Sequence, residues 1–94
     1  MKYKNISHVL STIFVSNFGF SEDVAINIYI TSLSDEHKLN VMKTELMEAF
    51  QDKEISWCNI LLNDDYEILE FETEVEAKNY VKKILWDPII SLTK

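Results

Sequence analysis

Gly19 and Pro88 are the single glycine and the single proline in 94 residues. A chain so short of the two strongest backbone punctuators must build its turns from Asn, Asp and Ser side chains. Its fold must come from regular elements whose apolar faces meet in one core. An apolar fraction of 47% supplies that core and argues against a disordered acidic tail. Residues 1–94 are expected to form one domain, since this length leaves no room for a second core.

Along the chain, Ile6, Val9, Leu10, Ile13 and Phe14 recur at helical spacing and predict a first helix ending before Gly19. In "VAINIYIT", Val24, Ile26, Ile28 and Ile30 alternate with Asn27 and Tyr29, which predicts a first strand. Ser34, Asp35 and Glu36 then read as a helix start. Leu39, Met42, Leu46, Ala49 and Phe50 carry that helix to about Gln51. "EISWCNILLN" is apolar on both faces, as expected of a covered second strand. Asn63-Asp64-Asp65 offers turn chemistry, and "YEILEF" returns as a third strand, antiparallel to the second.

Thr73 and Glu76 form a T-x-x-E capping box for a last helix, which Pro88 should stop. Trp57 and Trp86 read as core. The expected architecture is α+β, in the order α-β-α-β-β-α, with a three-stranded sheet packed against three helices.

Sixteen acids face nine basic residues, all lysine, for a net charge of −7. Cations that displace phosphate counterions are scarce, so neither nucleic acid nor an anionic membrane surface is the expected partner. A basic protein is the electrostatic complement. No apolar run reaches the ~20 residues of a membrane span. The N-terminus carries Asn5, His8 and Asn17 and lacks a small-residue cleavage site, so it is not read as a signal peptide. The lone Cys58 fits a reducing, cytoplasmic setting.

Candidates for chemistry are few. Cys58 has no His placed to activate it and reads as a small core thiol. No His/Cys cluster has zinc spacing. Asn63, Asp65, Glu67 and Glu74 occupy calcium-loop positions, but Ile68 stands where such a loop needs Gly. A phosphate-cradling loop would need more glycine than this chain has. The expectation is a protein that is not an enzyme and has no metal or cofactor.

What stands out is "NDDYEILEFETEVE", seven carboxylates in fourteen residues without a lysine. Asp64 and Asp65 serve the turn, and Glu74 and Glu76 suit the helix start, with Glu74 facing Lys78. Glu67, Glu70 and Glu72 have no such excuse. Two carboxylates ~7 Å apart repel by roughly 0.6 kcal/mol even in a water-like dielectric. One reading is a solvated outer face. The other is a recognition surface, with Leu69 and Phe71 facing the core and Tyr66 and Ile68 outward as anchors. Asp64, Asp65, Tyr66, Glu67, Ile68, Glu70 and Glu72 are then the expected partner-binding residues. The first helix is the other candidate interface.

The closing run "YEILEFETEVEAKNYVKKILWDPI", read as a strand, a capped helix and a Trp-Asp-Pro stop, resembles the ends of small immunity proteins. These belong to bacterial contact-dependent growth inhibition and colicin-type toxin systems. The resemblance covers residues 55 to 90. It implies a non-enzymatic cytoplasmic protein that binds and blocks the folded toxin domain of its cognate effector, often a basic RNase or DNase. A small acidic secretion chaperone, holding an unfolded effector segment, is the alternative. A monomer is expected.

Overall fold

The computed structural model describes residues 3–14 and 21–93, and among these there is no β-strand. The described residues form six α-helices instead of a sheet packed with three: α1 (Lys4–Val9), α2 (Glu22–Ser32), α3 (Glu36–Gln51), α4 (Trp57–Leu61), α5 (Glu74–Val81) and α6 (Asp87–Thr93). Two wider π-helical turns extend α1 over Leu10–Phe14 and link α5 to α6 over Lys82–Trp86. The expected α+β class is therefore wrong; the protein is all-helical.

The first predicted strand is α2. Ser21 caps it, its side chain accepting from the Val24 N–H at 3.3 Å, and Glu22 and Asp23 favour the positive helix end. Ala25, Tyr29 and Leu33 repeat every four residues and are buried. Val24 and Ile28, which the strand reading put on one face with Ile26 and Ile30, are exposed.

The second predicted strand is largely α4, whose Trp57, Ile60 and Leu61 are buried at helical spacing. The third, residues 66–71, runs as an irregular loop. What survives of the expected hairpin is one antiparallel bridge between Leu62 and Glu67, with the Ile68 N–H donating to the Leu61 carbonyl at 2.7 Å.

Other expectations hold. α3 spans the predicted stretch and buries Met42, Leu46 and Ala49, with Asp35 rather than Ser34 as its cap. Thr73 Oγ1 accepts from the Glu76 N–H at 3.2 Å, as the T-x-x-E spacing predicts. Ile6, Val9, Leu10 and Phe14 of the first helix are buried, while its expected end lies outside the described residues.

Pro88 does not stop the last helix. It has no N–H for the carbonyl of Ile84, and its ring crowds that carbonyl. The preceding turn is widened to π geometry, and the helix continues through Thr93. Inside this junction the Tyr29 hydroxyl donates to the Leu85 carbonyl at 2.9 Å. Burial pushes the phenol far above its ordinary range, so it stays a donor. Phe14 meets Tyr29 edge-on, with centroids 6.2 Å apart, joining the two π-turns through α2.

Two carboxylates fasten distant helices. Glu45 of α3 accepts from the Ile6 N–H at 2.7 Å and from Asn5 Nδ2 at 3.2 Å, closing the start of α1. Glu74 of α5 does the same for α4, as described below. Helix starts carry unsatisfied N–H groups and partial positive charge, which makes both contacts favourable. Part of the acidity is thus structural.

Candidate functional site

The acidic segment connects α4 to α5 and is held at both ends. At its head, Asn63 Oδ1 accepts from the Asp65 N–H at 2.9 Å and the Tyr66 N–H at 3.2 Å. This is the side-chain turn expected of Asn-Asp-Asp. At its tail, Thr73 caps α5. Between these points Asp64, Asp65, Glu67, Glu70 and Glu72 are exposed. Among the described residues, none of Asp64, Asp65, Glu70 or Glu72 pairs with a lysine. The Lys83–Glu22 ion pair, at 3.4 Å, lies on other elements.

Two of the seven expected contact residues are not at the surface. Tyr66 is 9% and Ile68 6% exposed, both in the core, and the Tyr66 hydroxyl reaches Ser7 Oγ at 3.5 Å. Leu69, expected to face inward, is 45% exposed, and Val75 is 68% exposed. Phe71 is half-buried against Tyr80. The apolar contacts offered beside the acids are therefore Leu69 and Val75, not Tyr66 and Ile68. An open depression of about 710 Å³ lies at the head of the segment, lined by Asn59, Asn63, Asp64 and Asp65 with Ser7 and Tyr66.

Glu74 has turned away from this strip. One carboxylate oxygen accepts from the Trp57 N–H at 2.5 Å. The other accepts from the Cys58 N–H at 3.3 Å and the Ser56 hydroxyl at 3.2 Å. Desolvation acts against its charge, but hydrogen bonds from the Cys58 thiol, these two backbone N–H groups and the Ser56 hydroxyl outweigh it. They hold Glu74 below the usual carboxylate range.

The same contact raises the Cys58 thiol, through its hydrogen bond to Glu74, some desolvation, and the charges of Glu74 and Glu76. A nucleophilic cysteine needs the opposite shift. Lys78, expected to face Glu74, donates instead to the Phe50 carbonyl at 3.1 Å and lies 5.9 Å from that ring's centroid. Phe50 stacks on buried Trp57 and meets Trp86 edge-on, which puts both tryptophans with the core.

No carboxylate–histidine–cysteine group with metal-ligand geometry occurs among the described residues. No described helix is long and apolar enough to cross a membrane. Comparison with protein-family models, curated proteins and solved structures returns no match. Of the features that carried the resemblance to immunity proteins, the capped helix is present. The strand before it and the stop at Trp86-Asp87-Pro88 are not.

Proposed function

We propose that this protein is a non-catalytic inhibitor of the immunity type, which binds the folded, basic toxin domain of a cognate effector through the α4–α5 segment. The observation that supports this is the exposed strip of Asp64, Asp65, Glu67, Glu70 and Glu72, held at both ends. A nuclease site that holds phosphates is lined with Lys, Arg and His, so an acidic strip complements it in sign. Leu69 and Val75 supply the apolar contacts.

Mutual repulsion along the strip costs the free protein a little stability and is relieved when the partner's cations arrive. The two ties, at Asn63 and at Thr73, reduce the ordering that binding requires. A folded partner suits a surface that is itself formed before binding.

The test is co-expression with the C-terminal domain of the large exported protein encoded by the neighbouring upstream reading frame. Co-purification and loss of nuclease activity are expected. D64N/D65N/E70Q/E72Q should fold normally and slow association about tenfold or more. Wild-type inhibition by the quadruple variant would refute this binding face. Capture of an unfolded effector segment, but not of the folded domain, would replace the reading with that of a secretion chaperone.

A further inference from the structure

A second recess lies on the other side of α1. Ser7 borders the acidic depression, whereas His8 and Val9, on the opposite face of that helix, border this one. It holds about 420 Å³ between α1, the end of α2 and the start of α3. Its apolar floor is Val9, Leu33, Val41 and Met42. Both histidines of the chain, His8 and His37, stand at its edge with Lys38, and no carboxylate lines it. Asn5 and Ser32 complete the lining, and Lys38 is the one formal charge in it, opposite in sign to the protein's net −7.

We propose that this recess binds a small amphipathic carboxylate. The hydrocarbon body lies on the four apolar side chains, and the carboxylate accepts hydrogen bonds from His8, His37 and Lys38. The volume falls within the range of small-ligand pockets, and an apolar floor with a few convergent polar groups is their usual composition.

The floor favours an organic anion over an inorganic one, because a bare phosphate makes no apolar contact with it, whereas a hydrocarbon body packs on it and covers the exposed Val41. The surroundings favour a small molecule over an acidic peptide. The adjoining depression along α3 shares His37 and Val41 but is lined by Glu45 and Glu48. An acidic chain continuing in that direction meets like charge.

The charges near these imidazoles are Lys4 one turn before His8 on α1, Lys38, Glu36 and Asp35 on or before α3, and further along α3 Glu48 and Glu45, which accepts from Asn5 of the lining at 3.2 Å. Asp35 is engaged with the His37 backbone N–H at 2.8 Å.

The experiment is an NMR titration of the full chain with butanoate, hexanoate and octanoate, with hexanamide as the neutral isostere. Saturable shifts at Val9, Leu33 and Met42 are expected. Affinity should rise about two- to fourfold per methylene. Hexanamide should bind about tenfold or more weakly than hexanoate, because it lacks the charged acceptor. H8Q/H37Q, both exposed positions, should keep the helical circular dichroism and bind hexanoate about tenfold more weakly.

Absence of saturation, hexanamide binding as tightly as hexanoate, or unchanged hexanoate affinity in H8Q/H37Q would each overturn the assignment. So would tighter binding of a peptide of residues 64–72 than of octanoate, which would make the recess a contact between copies of this chain.

Discussion

Replacing Glu74 by Gln tests how far this small helical protein depends on carboxylates as ties between helices. The wild-type side chain accepts from the N–H groups of Trp57 and Cys58 and from the Ser56 hydroxyl, at 2.5, 3.3 and 3.2 Å. α4 has only five residues and cannot persist without tertiary support. Loss of a helix cap costs about 0.5–2 kcal/mol, and the exposure of this carboxylate puts the expectation near the middle, about 1 kcal/mol.

For a domain of this length that lowers Tm by about 4–8 °C, readable by thermal circular dichroism. The pH dependence carries a sign. Glu74 is held below its ordinary range in the folded state, so its contribution is complete above the unfolded carboxylate pKa. It is lost as pH falls through the lower, folded value, and the gap between wild type and E74Q should close in acid.

E76Q is the control. Glu76 sits in the same helical turn, but its own contact is a backbone one, its N–H donating to Thr73. E74Q, which removes the hydrogen-bonded carboxylate that raises the Cys58 thiol most, should also speed its alkylation near neutral pH, and more than E76Q does. Equal destabilisation by E74Q and E76Q would refute the reasoning, because the effect would then follow charge count rather than contact.

Y29F removes the hydroxyl that the Leu85 carbonyl accepts in the interrupted helix, and should cost about 1–2 kcal/mol in denaturant unfolding with the fold intact. E45Q should cost about 1 kcal/mol and raise amide exchange at Ile6, whose N–H loses its charged acceptor. Salt should raise the Tm of the free protein modestly by screening repulsion along residues 64–72, and should do so less in E70Q/E72Q.

The parts of the fold that were legible in the sequence are those whose signals are local. Asn63 turns the chain through its own side chain, Thr73 caps a helix three residues away, and α3 shows one uninterrupted apolar period. α2 was misread because two periods coexist there. Val24, Ile26, Ile28 and Ile30 alternate as in a strand, while Ala25, Tyr29 and Leu33 step as in a helix. Ser21, Glu22 and Asp23 give the same start signal that marked α3, and that cap decides the case.

α4 was hidden because the group that supports its start, Glu74, comes 17 residues after Trp57. Glu45 supports the start of α1 from further away still, but that helix was legible from its own apolar spacing. In the acidic segment, strand alternation assigned Tyr66 and Ile68 to the surface. Without a flat strand the inside–outside order does not hold across residues 66–71, and Leu69 is left outside. Pro88 fails as a stop because a π-turn removes the clash that normally makes it one.

The measurement that bears most directly on the functional account is the association rate with the neighbouring toxin domain at about 50 mM and about 500 mM salt, for wild type and D64N/D65N/E70Q/E72Q. Electrostatic recognition by the α4–α5 segment predicts a fall of about tenfold or more for wild type and a nearly flat response for the variant. A wild-type rate indifferent to salt, or a variant as salt-sensitive as wild type, would contradict it.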